Sequence, residues 1–484
     1  MINQQIINYI TQQLQQGQTK DAIKSALLAN GWQNNDIEEA FILIESIKSP
    51  QKYSKKVLKI LGWASFAFIF FIAIFLALPY ILAPFGKDIP PIDDTDLQLQ
   101  QINVPDGENA YFDLTKLENN VYETKEVIDY LEGKAWDDKQ VEDILAKNEQ
   151  SLIYFTNAVA KPKFQNPISA NPDNIKPGME MPAMKDWRAI SRIAALKALY
   201  LNNAGHSLEG LLESSKLLVL GQMIQDSQLS LLEYLIAVNM KNLGLETMQK
   251  ILSASNLPLE IYTGYSQALE DFKQNEAGLI NALKVEYLNI SYRFSDEQII
   301  ESLLSDSEIN ISESQIRRRI HNNFYFQPNQ TKKLAIEHFR NQISKISTPC
   351  NLTDSSKKCD ICDNPILIYF TENAVGKILF SIIAVDLVGT REKVCQENFL
   401  ISATQLMFAM KTYKITTGQL PEKLEDLVPK YITKIPQDSF SDEPIKYSAN
   451  KKIIYSVGKD KIDSGGSEGT DWRTMPDPTF KIDF

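Results

Sequence analysis

LGWASFAFIFFIAIFLALPYIL, residues 61–82, decides the architecture of this chain. No charged side chain occurs between positions 60 and 86. About 20 apolar residues, rising 1.5 Å each, cross the hydrocarbon core of a bilayer, whereas a buried core helix of this length ordinarily keeps a polar face. Trp63 and Tyr80 stand near the ends of the run, where amphipathic rings favour the headgroup level. Pro79 falls in the last turn, where a missing backbone hydrogen bond costs least. The run reads as one transmembrane helix, with its limits at 57–85. Lys48, Lys52, Lys55, Lys56 and Lys59 precede it; Lys87 follows, then Asp88, Asp93, Asp94 and Asp96. Positive charge gathers on the cytoplasmic side, so the N-terminus is expected inside and the rest of the chain outside. The span begins too late for a cleaved signal peptide and has no small-residue cleavage site, so it reads as an uncleaved signal-anchor.

The rest of the chain is sized for two to four domains at 484 residues. A hydrophobic content of 44% with 23% charged residues marks it as folded and not disordered. The net charge is −11, which excludes a general nucleic-acid binder, because neutralising phosphates needs clustered Lys and Arg. Residues 1–59 hold seven Lys against five acids, so the acidity lies beyond the span. An acidic ectodomain behind a basic anchor fits an exported protein.

Residues 1–48 read as three short helices. Gly17 closes the first, Thr19 can cap the second, Asn30-Gly31 ends it, and Asn34 or Asn35 can cap a third bearing Ile37, Ala40, Phe41 and Ile44 on one face. This pattern, with Ile23, Leu27, Leu28 and Trp32, resembles ubiquitin-associated-like three-helix modules. The resemblance implies a small protein-binding head in the cytoplasm.

Residues 86–112 are rich in Pro, Asp and Gln and read as a linker. Helical spacing then runs through 113–131, 137–159, 187–203, 208–225, 229–253 and 258–289, interrupted by a Pro-rich stretch at 161–182. The expectation for 113–345 is an array of helical hairpins without a fixed-period repeat. The stretches beginning RIAALKALY at Arg192 and FYFQPNQTKKLAIEHF at Phe324 resemble segments of uncharacterised bacterial membrane-anchored proteins, which implies a shared helical ectodomain.

Catalytic signals are sparse. His206, His321 and His338 do not have metal-ligand spacing. Arg317-Arg318-Arg319 can serve an anionic partner or pair with Asp306 and Glu313 on a solvated face. No nucleophile elbow, Walker loop or dinucleotide fingerprint occurs in a useful context. Cys350, Cys359, Cys362 and Cys395 all fall beyond the span within 46 residues, in and after a connector at 346–390. An even count in an oxidising compartment favours two disulfides, with three possible pairings; zinc and free thiols are the alternatives.

The segment 391–484 is the most specific. A helix pattern from about 392 to 416 carries Phe399, Ala403, Leu406, Met407, Met410 and Tyr413 on its apolar side. Leu420-Pro421 and Pro429 punctuate the next stretch, and two alternating runs, IKYSA and KIIYSVG, meet at Asn450. This reads as a helix packed on a small antiparallel sheet. Gly418, Leu420-Pro421, Leu427-Val428-Pro429, Ile435-Pro436-x-Asp438-x-Phe440, Tyr447, Tyr455-Ser456-x-Gly458 and Asp460-x-x-Asp463-Ser464-Gly465-Gly466 closely resemble the globular half of type II secretion major pseudopilins. The resemblance implies calcium in the acidic loop, with Asp460, Asp463 and Ser464 as oxygen ligands and Asp471 able to close the site. Lys459 and Lys461 stand beside those acids, and an Asx-stabilised turn is the other reading. The prepilin leader and its cleavage motif are not seen, and the span lies more than 300 residues upstream. Filament assembly is therefore not expected.

The sequence thus predicts a mainly α chain with a small α+β C-terminal domain: cytoplasmic module, one transmembrane helix, helical ectodomain and pseudopilin-like end. The expected function is non-enzymatic, in a single-pass protein of the bacterial cytoplasmic membrane with protein partners on both sides. An envelope hydrolase with an unrecognised carboxylate site, and an accessory of a type II secretion or type IV pilus-like machine, are the alternatives.

Overall fold

The computed structural model describes residues 4–48, 55–167, 184–272, 276–294, 300, 320–346, 350, 365–383, 388–441, 443–469 and 471–484. It divides into two compact units, residues 1–81 and 82–484.

In the first unit, α1 (Gln4–Gln15), α2 (Lys20–Ala29) and α3 (Asn34–Lys48) form the expected module. Ile6, Ile10, Ile23, Leu27, Ile37, Ala40, Phe41 and Ile44 make its core. The hydroxyl of Thr19 accepts from the Ala22 amide at 3.4 Å, and Gly17 and Gly31 take the left-handed conformation that ends a helix. α4 (Lys55–Leu82) follows. Its stretch Lys59–Leu78 is long and apolar enough to cross a membrane, and none of it is buried by protein.

The second unit is mainly helical. Its first part holds α5 (Tyr111–Leu114), α6 (Lys125–Leu131), α7 (Asp138–Lys147) and α8 (Glu149–Val159). Residues 137–159, expected as one helix, break at Asn148. That buried side chain donates to the carbonyls of Tyr122 (2.7 Å) and Ile144 (2.9 Å) and accepts from the Tyr122 amide (2.9 Å). An Asn that satisfies a passing segment competes with the helical ladder.

Four long helices form the central array: α9 (Met184–Asn203), α10 (Ser207–Gln225), α11 (Leu231–Ala254) and, after α12 (Leu259–Ala268), α13 (Glu276–Arg293). α10 and α11 cross closely because Gly221 and Gly244 face the partner helix. A Cβ at Gly221 would meet Lys241 Cγ at 2.6 Å, and one at Gly244 would meet the Ser214 carbonyl at 2.9 Å. α11 begins with a full capping box, in which the Ser230 hydroxyl and the Glu233 carboxylate serve each other's backbone amides. Trp187, Tyr234, Phe155 and Tyr287 lie in one continuous core with Phe339 of α14 (Pro328–Ser344) and Val375 of α15 (Ala374–Ile383).

α16 (Val388–Thr417) is the long helix of the C-terminal segment, stopped by Gly418 with φ +87°. β1 (Lys446–Ser448), β2 (Ile453–Tyr455) and β3 (Thr479–Lys481) form an antiparallel sheet in that order, with Tyr447 opposite Ile454 and Ile454 opposite Phe480. The first two strands match the sequence reading; the third was not foreseen. Instead of standing apart as a capping module, α16 shares a core with the array. Phe399, Leu406, Met407 and Phe408 pack with Leu218, Leu245, Met248, Ile251 and Tyr262.

Residues 86–112, read as a linker, lie against the helices. The Asp88 carboxylate accepts from the amides of Asn329 (2.8 Å) and Gln330 (3.0 Å), capping the N-terminus of α14 from afar. Asp94 pairs with Lys332 at 2.8 Å and accepts from the Tyr287 hydroxyl. Asp96 pairs with Arg340 at 2.6 Å, and Arg340 also reaches the Asp93 carbonyl at 2.8 Å. Leu97 is buried beneath them. The acids that made this stretch look like solvated linker are the groups that fasten it.

This strap carries a pH signature. Partial burial raises the Asp94 carboxyl, but the hydrogen bonds from Lys332 and Tyr287 outweigh it, and the net shift is downward. The Arg340 hydrogen bond lowers Asp96. With folded-state values below the unfolded one, their contribution is complete above about pH 4 and fades as pH falls through the folded values. The denaturation midpoint should drop on acidification below about pH 4, and should drop less in the double variant Asp94→Asn, Asp96→Asn. An equal acid response in both proteins would remove the strap from the account.

Candidate functional site in the C-terminal segment

The acidic loop is built around a carboxylate that sequence reading did not single out. Asp477 is fully buried. One of its oxygens accepts from the amides of Ser464 (2.9 Å) and Gly466 (3.0 Å), and its own amide donates to the Ser467 hydroxyl oxygen at 3.1 Å. Gly465 and Gly466 both have positive φ, so the chain can wrap this tightly. Asp477 stands between Pro476 and Pro478, outside the acidic run at 460–466 that drew attention in the sequence.

The four residues singled out for calcium have separate employments. Asp460 accepts from the Ile462 amide at 3.0 Å and Asp463 from the Gly465 amide at 3.0 Å, each folding back on its own turn. Ser464 gives its amide to Asp477. Asp471 accepts from the Arg473 amide (3.1 Å) and guanidinium (3.3 Å), heading the short turn Trp472–Thr474. Arg473 then pairs with Glu246 of α11, which also receives the Trp472 indole N–H at 3.0 Å. Two ammonium groups already serve the loop: Lys451 Nζ donates to the Gly465 carbonyl at 2.7 Å, and Lys446 Nζ lies 4.0 Å from Asp463. Among the described residues, no group of three or more His, Cys, Asp or Glu side chains is placed to hold a metal ion.

A second buried carboxylate fixes the sheet to the chain before it. Asp438 accepts from the Phe440 amide (3.0 Å), the Ser456 hydroxyl (2.7 Å) and the Val457 amide (2.9 Å). Burial, with Asp463 nearby, raises the Tyr455 phenol.

Cys350 of the connector and Cys395 of α16 stand at disulfide distance, with their Cα atoms 6.4 Å apart. Cys359 and Cys362 lie outside the described residues, as do Arg317, Arg318 and Arg319. The histidines do not converge. His206 is exposed at the start of α10, 3.0 Å from Glu209, while His338 packs edge-on against Phe339 and Phe380.

The strongest polar feature lies where α16 meets the array. Lys241 of α11 and Glu397 of α16 form an ion pair at 2.9 Å, and both side chains are fully inaccessible. Gln225 bridges them, donating to both Glu397 oxygens at 3.0 Å and accepting from Lys241 at 2.8 Å. Lys241 also donates to Gln222 Oε1 (2.7 Å) and the Phe272 carbonyl (2.9 Å). The available signal was a lysine in the mostly apolar stretch LLEYLIAVNMKNLGL, at a position in phase with core residues.

No family model matches the chain, and no curated protein or solved structure matches it either.

Removing one partner strands the other charge in a dry interior, at a cost of about 3–5 kcal/mol. Lys241→Met and Glu397→Leu should each lower the melting temperature of the detergent-solubilised chain sharply. The double variant should recover most of the loss. If the double variant is as unstable as the sum of the singles, the pair is not acting as a unit.

Proposed function

We propose that this chain is a single-pass protein of the bacterial cytoplasmic membrane, with residues 1–48 in the cytoplasm and residues 86–484 outside. Its work is to present a folded helical ectodomain for binding, with the pseudopilin-like segment serving as part of that body and not as a filament subunit. The observation that carries this reading is the helix Lys59–Leu78, an apolar surface that none of the described residues buries. The five lysines ahead of it and the acids behind it support the orientation. The merging of α16 into the array supports a structural role for the C-terminal segment, since its apolar side is already occupied. Protein partners are expected on both sides, and nucleic acid on neither. If the topology is right, alkaline carbonate leaves the chain in the membrane, and protease added to spheroplasts digests the ectodomain while an N-terminal tag stays protected. Digestion of the tag with the ectodomain spared would reverse the orientation, and release by carbonate would end the reading.

In this reading the acidic loop works without calcium. Lys451 on the Gly465 carbonyl and Lys446 beside Asp463 supply the positive charge that an ion would bring to such a loop. Millimolar calcium should leave the melting temperature of the full chain unchanged, and Lys451→Met should lower it. A calcium-dependent rise would return Asp460, Asp463 and Ser464 to the role of ligands.

A further inference from the structure

The chain is locked into folded structure very soon after α4 ends. Lys59–Leu78 is the stretch fit to cross a hydrocarbon core. Leu82, the last residue of α4, therefore falls about 6 Å past that stretch, at headgroup depth. Gly86 comes four residues later, a reach of at most about 14 Å even for an extended chain. Gly86 is already buried. A Cβ there would lie 2.3 Å from both the Asn323 carbonyl oxygen and the Phe324 amide nitrogen, so only glycine lets the two backbones approach this closely.

The turn that holds Gly86 is fastened to a second turn. The Asn373 amide donates to the Phe324 carbonyl (2.8 Å), and the Val375 amide to the Tyr325 carbonyl (2.9 Å). The Tyr325 hydroxyl donates to the Tyr369 carbonyl at 3.1 Å. Asn373 Oδ1 accepts from the Gln327 amide (2.9 Å) and the Thr331 hydroxyl (3.1 Å), which ties both turns to the start of α14. On the second turn Phe370 is 60% exposed and Leu367 37%, and the Phe370 amide donates to the Leu367 carbonyl at 3.1 Å. The neighbouring acid, Glu372, accepts from the Gln327 side-chain amide at 2.9 Å, so its charge is engaged by the protein. A scattered apolar side chain on a surface needs no explanation. This pair differs because its turn is bonded to the one that grips Gly86, within a short reach of the end of the span.

We infer that these two turns dock on the phospholipid bilayer, with Phe370 and Leu367 seated among the headgroups of the leaflet that α4 leaves at Leu82. The inference rests on the membrane reading of α4 proposed above. Phe and Leu are side chains that interfacial segments bury at the boundary between headgroups and acyl chains. A protein anchored by one helix can pivot about it. A second contact a few residues further on holds residues 82–484 at one height above the lipid.

The test uses tryptophan emission from the full chain in phosphatidylcholine nanodiscs, with bromine carried on the acyl chains either near the headgroups or near the chain ends. Trp63 reports on the span: the parent should lose emission to brominated lipid, and Trp63→Phe should remove that loss. Phe370→Trp in the Trp63→Phe background should restore it, with bromine near the headgroups quenching and bromine near the chain ends sparing the added emission. Leu367→Trp should behave alike, and both sites are exposed enough to accept an indole without unfolding the chain. Quenching of Trp63, with added emission at both new sites indifferent to either lipid, would overturn the docking and leave the span in place. No quenching of Trp63 would overturn the membrane reading and the docking with it.

Discussion

The second compact unit, residues 82–484, depends on one buried charge pair. Lys241 and Glu397 sit on helices far apart in sequence, and neither side chain touches solvent. Desolvating two charges gives little net stability even when they are well paired, but leaving one alone is severe. The consequence is specificity more than strength. α16 can dock on α11 only in the register that brings Glu397 to Lys241, and Gln225 of α10 then closes the triangle. The large apolar contacts around it, from Phe399 to Met410 on one side and Leu245 to Leu252 on the other, supply the driving force but would tolerate other registers.

This joint explains why the C-terminal segment is not an appendage. Its sheet is small, with three strands of three residues, and so short a sheet needs a further layer to be stable. α16 supplies that layer, and α16 in turn needs the array. Trp472 and Arg473 on Glu246 add a second attachment from the other end of the segment. The Cys350–Cys395 link adds a third.

What could be read from the sequence followed from how local the signal was. The apolar run at 61–82 has no polar face, so no tertiary information was needed to see a helix fit for a membrane. Thr19, Gly17 and Gly31 punctuate the first three helices within a few residues of where they act. β1 and β2 announced themselves by alternation across Asn450. The misses were groups whose partners are distant. Asn148 breaks a helix because of Tyr122, Asp88 caps a helix that starts at Pro328, and β3 has only three residues, set between Pro478 and Ile482, with no pattern of its own. At the candidate site, the conspicuous acids Asp460, Asp463 and Asp471 accept hydrogen bonds from their own turns or a neighbouring arginine. The organising carboxylate, Asp477, sat unremarked between two prolines.

The near-contact of α10 and α11 has a consequence for how this chain can change. Gly221 lies against the aliphatic stem of Lys241, the side chain whose head holds Glu397. Adding even one carbon there would push the stem and so tilt the ammonium off a carboxylate borne by α16, far along the chain. Variation at this glycine is thus felt as a defect of the C-terminal segment, and compensation would have to arise at Lys241 and Glu397 together. Three positions that never adjoin in sequence are bound to drift as one.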